Sequence, residues 1–229
     1  MDIKELEGKI AIVTGAGRLR GIGRATAVQL AKMGAKLIIT GTGRSPESYP
    51  EDEKKIGWKD IESTAEQIRE VGSEATTLIT DISKENNVDL LIETALNAYG
   101  KIDILVNNAA APYAEDRVPV IEVDNEAFRK VIEVKLYGSY LCSKAVAKVM
   151  IDNKNGGRII NLSSTAGKSG NARMAAYVAA NFAIDGFSQS LAKELAEHSI
   201  TVNCVCPGLT ETARMDPLGR GAFWQSRSD

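Results

Sequence analysis

The chain has 229 residues, of which 44% are hydrophobic and 25% are charged, and its formal net charge is -2. These proportions are ordinary for a folded protein and exclude a disordered or fibrous chain, while the length suits one domain, residues 1–229, better than two. Basic residues are scattered and apolar runs are only strand-length, so we expect neither a nucleic-acid partner nor a membrane segment. The N-terminal residues lack the pattern of a signal peptide, which predicts a cytoplasmic protein.

Short apolar runs alternate along the chain with longer segments of helical spacing. Strands are predicted at residues 9–14, 36–40, 75–80, 102–107, 158–163 and 201–206. Helices are predicted at residues 22–33, 58–71, 86–99, 125–152 and 175–198. Runs such as IAIV and KLII, apolar at every or nearly every position, are typical of parallel strands covered on both faces. The alternation therefore predicts a Rossmann-like α/β fold, a doubly wound parallel sheet in three layers (αβα) and a single domain.

Two segments that follow strands are predicted to be loops. Residues 41–57 are rich in Gly, Ser, Pro and acidic residues, and residues 110–124 contain Pro112 and Pro119. In an open α/β sheet the ligand crevice lies beyond the carboxyl ends of the strands, so both loops are candidates for binding. Trp58 and Trp224 would either pack or line a pocket.

The turn after the first strand is a candidate phosphate-binding loop. Gly15, Gly17, Gly21 and Gly23 lie between the strand KIAIVT and a helical pattern. Glycines there permit a tight turn and a close backbone approach to a pyrophosphate, and the helix N-terminus supplies unpaired N–H groups. This arrangement predicts dinucleotide binding, and the alternative is a glycine-rich loop without a ligand.

Motifs along almost the whole chain resemble those of the short-chain dehydrogenase/reductase family. The glycine turn is similar to the family's T-G-x-x-x-G-x-G signature, although five residues instead of three separate Gly15 and Gly21. Asp81 resembles its adenine-contacting Asp, and the NNAA run at 107–110 resembles its N-N-A-G segment. From the resemblance and the local sequence, the residues expected to contact the dinucleotide are Thr14, Gly15, Arg20, Gly21, Ile22, Gly23, Arg44, Asp81, Ile82, Asn108, Ala109, Pro207, Gly208 and Thr212.

The residues after the second strand bear on the choice between NAD(H) and NADP(H). An acidic side chain there would accept a hydrogen bond from a free ribose hydroxyl but would repel a 2′-phosphate. The strand ends in T-G-T-G-R without a carboxylate, and Arg20 with Arg44 would form a charged clamp for the phosphate. We therefore predict NADP(H), with NAD(H) as the alternative; the other interpretation of the two arginines is that both are solvated.

The resemblance also implies a catalytic group, in which two positions are exchanged. In the family a Tyr transfers the alcohol proton, a Ser holds the substrate oxygen, a Lys four residues after the Tyr favours its ionised form, and an Asn on the preceding helix supports a proton relay. Ser164 and Tyr177 match the first two. The Lys position is occupied by Asn181, however, and the helix Asn position by Lys135.

Lys135 is therefore a candidate substitute for the missing lysine. It follows Phe128, Val131 and Ile132 at helical spacing, which places it on or beside an apolar stripe. We hypothesise that its flexible stem extends toward Asn181 and restores part of the positive field at Tyr177. The alternatives are that Lys135 reaches solvent, or that the protein binds its cofactor without useful chemistry.

The predicted function is an NAD(P)-dependent oxidoreductase that interconverts a carbonyl and a secondary alcohol on a small molecule, with Tyr177 as acid/base. A catalytically impaired dinucleotide-binding scaffold or sensor is the first alternative. A lyase or isomerase on the same fold is the second.

Two further expectations concern the cysteines and the last part of the chain. Cys142, Cys204 and Cys206 are predicted to be small buried residues, since an odd number without ligand spacing favours neither disulfides nor a metal site. No strand pattern follows Cys206, whereas the resemblance implies a seventh strand and a last helix, so the chain is either truncated or has a shorter sheet edge. The resemblance implies a homodimer or homotetramer, and an uncovered edge also favours association.

Overall fold

The computed structural model describes residues 4–112 and 116–213 and contains a parallel sheet. Its strands within the described residues are β1 (Ile10–Val13), β2 (Lys36–Gly41), β3 (Ala75–Ile79), β4 (Ile104–Asn107), β5 (Gly157–Leu162) and β6 (Ile200–Val205). Their order in the sheet is β3-β2-β1-β4-β5-β6, and every neighbouring pair is parallel. All predicted strands are confirmed, with ends that differ by at most two residues.

The helices lie in the crossovers between these strands. They are α1 (Ile22–Lys32), α2 (Glu51–Lys55), α3 (Ile61–Glu70), α4 (Glu85–Tyr99), α5 (Asn125–Ile132), α6 (Gly138–Asn153) and α7 (Ala175–Leu195). The prediction of a loop over residues 41–57 is wrong in part, because a 3-10 turn (Pro46–Ser48) and α2 lie within it. The single helix predicted over 125–152 is also corrected, because a π-helical turn (Glu133–Tyr137) separates α5 from α6.

The sheet is covered on both faces, which confirms the three-layer arrangement. Ile10 and Ile12 of β1 pack with residues of α4 and α6, whereas Ala11 and Val13 pack with residues of α1 and α3. This division follows from the alternation of side chains along a strand. Because both sides of β1 are buried, each of its positions must be apolar, as the IAIV run is.

A buried carboxylate joins the amino-terminal ends of β1 and β4. Asp103 Oδ2 accepts a hydrogen bond from Ile10 N at 2.9 Å, and the ammonium group of Lys101 lies 2.9 Å from the same oxygen. Burial opposes the charge of Asp103, but these partners outweigh it and lower the pKa of the carboxyl below its ordinary value. Asp103 therefore stabilises the folded chain as a carboxylate.

Within the part of the chain that the structure describes, no helix combines the length and apolarity needed to cross a membrane. Residues 207–213 form no strand, and the rest of the tail, with Trp224, lies outside the described residues. The expectation that a seventh strand is missing concerns the residues after Cys206, and the structure describes these only as far as residue 213.

Candidate functional site

A cavity of about 610 Å³ opens beyond the carboxyl ends of the strands. It lies near the point between β1 and β4, from which the strands that follow β1 extend to one side of the sheet and those that follow β4 to the other. Crevices at such a switch point are the usual ligand sites of open α/β sheets. All residues predicted to contact a dinucleotide line this cavity except Thr14 and Gly208. Tyr177 and Lys135 line it too, whereas Ser164 and Asn181 do not.

The glycine turn is built against the segment that follows β4. Gly15 has a φ of 71°, and a Cβ atom there would lie 2.8 Å from Ala109 Cα, so only glycine fits. Asn108 Nδ2 donates to Thr14 O at 2.8 Å and to Gly15 O at 2.9 Å. Thr14 Oγ1 in turn accepts from the backbone N of Asn108 at 3.1 Å. Thr14 therefore supports the turn from behind, which explains why it does not line the cavity.

The start of α1 presents backbone N–H groups to the cavity. Its N-cap, Gly21, is extended, with no side-chain cap among the described residues, and its first turn contains no acidic residue. Such an end attracts anions through its unpaired N–H groups and its dipole. A Cβ atom at Gly23 would lie only 2.4 Å from Asn108 Nδ2, so only glycine fits there and no side chain covers the backbone. These residues fit the pyrophosphate of a dinucleotide.

The lengthened part of the glycine turn packs against the segment after β2. Trp58 Nε1 donates to Gly17 O at 2.7 Å, and Glu53 Oε1 accepts from Leu19 N at 2.9 Å. Arg20 Nε lies 2.6 Å from Asp52 Oδ2. The longer turn and the segment 45–60 are thus complementary, and the turn's conformation depends on residues more than thirty positions away.

Arg44 is held by two buried carboxylates. Its guanidinium group lies 2.8 Å from Glu53 Oε2 and 2.9 Å from Asp60 Oδ1, and it stacks 4.6 Å from the ring centre of Tyr49. Burial opposes its charge, but the carboxylates outweigh this and raise the pKa of Arg44. The sequence at the end of β2 carries no carboxylate, as stated above, but the fold brings Asp60 there from a later segment, and Asp60 Oδ2 accepts a hydrogen bond from Arg44 N at 3.2 Å.

Asp81, which the family resemblance predicts to contact adenine, lines the cavity in an ionised form. Its Oδ1 accepts hydrogen bonds from Ser83 N at 3.0 Å and Ser83 Oγ at 2.7 Å, and Lys130 Nζ is 3.5 Å from Oδ2. Burial favours the neutral acid, but these donors outweigh it and lower the pKa of Asp81. An ionised carboxylate can accept a hydrogen bond from an amino group.

Tyr177, in the first turn of α7, has a cationic neighbour that sequence reasoning missed. The guanidinium carbon of Arg117 lies 4.2 Å from the centre of the tyrosine ring, and the arginine side chain is only 8% exposed. Asp116 Oδ2 is 3.3 Å from Arg117 Nε and offsets part of its charge. The one indication in the sequence was that Arg117 belongs to the loop 110–124, and that whole loop was predicted as a candidate for binding.

Lys135 is buried in the π-helical turn, with 5% of its surface exposed. Its ammonium group donates to the backbone oxygen of Leu162 at the end of β5. The alternative that Lys135 reaches solvent is therefore wrong. π-helical turns inside helices often occur at functional positions, because they redirect side chains.

Asn181 and Ser164 have local partners beside the cavity. Asn181 is completely buried, and its Nδ2 donates to Tyr177 O at 2.8 Å, one helical turn earlier. Its backbone oxygen accepts from Ser163 Oγ at 3.2 Å. Ser164 Oγ accepts from Ala166 N at 3.2 Å, which leaves the hydroxyl proton available to a substrate oxygen.

The cysteines divide into two kinds. Cys142 is completely buried, and burial raises the pKa of its thiol to about 12, as expected for a small packing residue. The prediction that Cys204 and Cys206 are buried in the same way is wrong, since both are half-buried and lie beside Asp185. Sequence spacing could not reveal Asp185, which lies on another element.

Comparison with known proteins decides the family. The family model described as short chain dehydrogenase matches residues 9–221. The chain belongs to the short-chain dehydrogenase family. Membership assigns this short-chain dehydrogenase to NAD(P)-dependent oxidoreduction as a class of chemistry.

Its relatives include enzymes with different named substrates. It is 36% identical to a 3-oxoacyl-[acyl-carrier-protein] reductase of Synechocystis sp., over 93% of this chain and 81% of that relative. It is 31% identical to a sorbitol dehydrogenase of Cereibacter sphaeroides, over 92% of this chain and 74% of that relative. The crystal structure of carveol dehydrogenase from Mycobacterium avium in complex with NAD has a TM-score of 0.84 at 26% identity and covers 98% of this chain and 78% of that one.

Proposed function

We propose that this short-chain dehydrogenase interconverts a carbonyl and a secondary alcohol on a small molecule, with Tyr177 as the proton-transferring group. The observation that carries the proposal is a single cavity lined by the glycine turn, by Asp81 and by Tyr177. A nicotinamide dinucleotide, when bound, supplies or accepts the hydride. The start of α1 would hold its pyrophosphate and Asp81 its adenine.

The chain's own groups would then handle the substrate oxygen and its proton. Ser164 is half-buried and follows Ser163, which lines the cavity, and its hydroxyl group would donate a hydrogen bond to that oxygen. Tyr177 would give the oxygen a proton or take one from it. The cation over the tyrosine ring, Arg117, favours negative charge on the ring at the moment of transfer. Asn181 would keep the first turns of α7 rigid through its bond to Tyr177 O.

Lys135 would supply the positive field that a lysine at position 181 provides elsewhere in the family. The support is that its ammonium group is buried and lines the same cavity as Tyr177. We expect Lys135→Met to lower kcat at least about tenfold, since a nearby opposite charge typically favours an ionised group by about 1–3 pKa units. The exposed Lys32, at the end of α1, gives a control variant Lys32→Met that keeps its activity. Unchanged turnover and pH profile in Lys135→Met would contradict the relocation.

We propose NADP(H) as the preferred cofactor, with Arg20 rather than Arg44 as the partner of the 2′-phosphate. Arg44 is locked between Glu53 and Asp60, and it also neutralises part of the charge with which Asp60 would repel a phosphate. The pair of Arg20 with Asp52 is partly exposed, at 26% and 39% of the two side chains. Exposed pairs contribute only about 0–1 kcal/mol, so a phosphate can displace the carboxylate.

The test of cofactor choice is the ratio of the dissociation constants for NADPH and NADH, measured by fluorescence titration. Arg20→Met should weaken NADPH binding about tenfold and leave NADH binding unchanged. Equal affinities of the natural chain for both cofactors, or an equal loss of both in Arg20→Met, would contradict the assignment.

The same titration, combined with a screen of carbonyl and alcohol substrates, distinguishes an enzyme from a scaffold. The specific observation that favours a scaffold is Asn181 at the position of the family's lysine. Turnover that is lost in Tyr177→Phe, with cofactor affinity retained, supports the enzyme. Tight cofactor binding without turnover on any substrate supports the scaffold.

We also propose a homodimer or homotetramer. Tyr140 of α6 and Phe182 of α7 are 37% and 46% exposed, and exposed aromatic side chains are typical of association surfaces. Sedimentation equilibrium tests this, and a monomer at micromolar concentration would contradict it.

A further inference from the structure

A second cluster of reactive side chains lies outside the cavity, between α7 and the end of β6. Cys204 Sγ is 2.9 Å from Asp185 Oδ1, and Cys206 Sγ is 3.8 Å from the same oxygen. The two sulfur atoms and a carboxylate oxygen all lie within 4.8 Å of one another. This is the only group of three such ligands among the residues that the structure describes.

The strand period brings the two thiols together. Ile200, Val202 and Cys204 alternate with exposed residues along β6, so they share one face, and Cys206 continues the series two positions later. α7 packs against β6, and Asp185 is 94% buried at their junction. The packing of α7 against β6 therefore brings both thiols of the C-x-C sequence to the buried carboxylate of Asp185.

The donor set suits a zinc-like cation. Tetrahedral zinc bonds are about 2.3 Å to thiolate and about 2.0–2.2 Å to carboxylate, which places neighbouring ligand atoms roughly 3.5–3.8 Å apart. The observed sulfur–oxygen separations are 2.9 Å, below this range, and 3.8 Å, at its upper limit, so small side-chain rotations suffice. Thiolates select zinc over magnesium or calcium, which prefer oxygen ligands.

The charges of the cluster also suit a divalent cation. Two thiolates and one carboxylate around such an ion leave one net negative charge. Lys168 Nζ lies 2.7 Å from Asp185 Oδ2, the carboxylate oxygen that does not contact the thiols, and balances that charge. The lysine side chain is 59% exposed, so it can adjust its position as an ion enters.

We propose that Cys204, Cys206 and Asp185 form a binding site for one zinc ion. On binding, each thiol loses its proton to solvent as its sulfur forms a bond to the metal, and no atom is oxidised or reduced. The fourth position is left to a water molecule. None of the three ligands lines the dinucleotide cavity, and the site does not depend on the proposed reaction.

The test uses Co²⁺ as a spectroscopic substitute for zinc on the reduced natural chain. We expect one equivalent of Co²⁺ to produce thiolate-to-cobalt charge-transfer absorbance in the near ultraviolet, and Zn²⁺ to abolish it by displacement. Cys204→Ser and Cys206→Ser should each weaken binding at least tenfold, and Asp185→Asn should weaken it as well. The control is Cys142→Ser, a buried thiol outside the cluster, which should bind as the natural chain does.

The natural chain alone is enough to overturn the proposal, so the result does not depend on whether the variants fold. A folded, reduced sample that gives no charge-transfer absorbance with Co²⁺ and retains no zinc after dialysis refutes the site. Equal absorbance in the natural chain and in the Cys204→Ser, Cys206→Ser double variant refutes the ligand assignment. Circular dichroism shows whether each variant is folded when it is compared.

Discussion

Replacing Glu53 with alanine should destabilise the fold from beneath the glycine turn. The Glu53 side chain is only 1% exposed, and its two oxygens have different partners, Arg44 Nη1 at 2.8 Å and Leu19 N at 2.9 Å. Removing one member of a buried ion pair costs about 3–5 kcal/mol. Arg44 keeps its contact with Asp60, so we expect the lower end of this range, about 3 kcal/mol.

For a chain of this size, about 3 kcal/mol corresponds to a fall in Tm of roughly 6–12 °C. Urea unfolding followed by tryptophan fluorescence measures the free energy, and the buried Trp58 beside Gly17 reports on the same region. Glu51→Ala is the matched control, because Glu51 is on the same helix, is 90% exposed, and has only a surface pair with Lys54. That variant should lose less than about 1 kcal/mol.

A second variant separates charge from hydrogen bonding at the same position. Glu53→Gln keeps an oxygen that can accept from Leu19 N but removes the charge next to Arg44. It should therefore lie between the natural chain and Glu53→Ala in stability. If Glu53→Ala unfolds at the same urea concentration as Glu51→Ala, the ion pair does not support the turn and this reasoning is refuted.

Three further variants test other parts of the structure. Gly15→Ala forces alanine into a left-handed conformation and should weaken dinucleotide binding by about 1–3 kcal/mol in a fluorescence titration, whereas the open position Gly170 should tolerate alanine. Arg117→Met should lower kcat for carbonyl reduction about tenfold if its cation assists proton transfer, while Arg129→Met, on the exposed side of α5, should not; equal rates would exclude the role. Because the pKa of Asp103 is lowered in the folded chain, its stabilisation is present at neutral pH and lost as the pH falls below about 4. Asp103→Asn should therefore reduce stability at pH 7 but much less at pH 3, and a constant difference across this range would contradict the assignment.

The sheet could be predicted from the sequence because its signal is local and repeated. A run such as IAIV must be apolar on both faces when helices cover both, and each buried strand shows this independently. α2 could not be predicted in the same way, because five residues are too few to show helical periodicity. The π-helical turn was also hidden, since one additional residue in a turn leaves the apolar pattern almost unchanged.

The parts of the candidate site that belong to sequence motifs could be predicted. Contacts between residues far apart in the sequence could not. The glycine turn, Asp81 and Tyr177 follow from motifs, and they line one cavity. The pairing of Arg44 with Asp60 joins residues sixteen positions apart, and no pattern in the sequence specified it. The contact between Asp185 and Cys204, nineteen positions apart, is of the same kind.

The π-helical turn determines how α6 is rotated about its axis relative to α5. An α-helix advances about 100° per residue, so the deletion of one residue within Glu133–Tyr137 would turn α5 relative to α6 by that angle. Lys135 would then leave Leu162, and its side chain would turn out of the cavity that it now lines beside Val134. Which side chain faces the cavity from this helix is decided by helix length as much as by residue type.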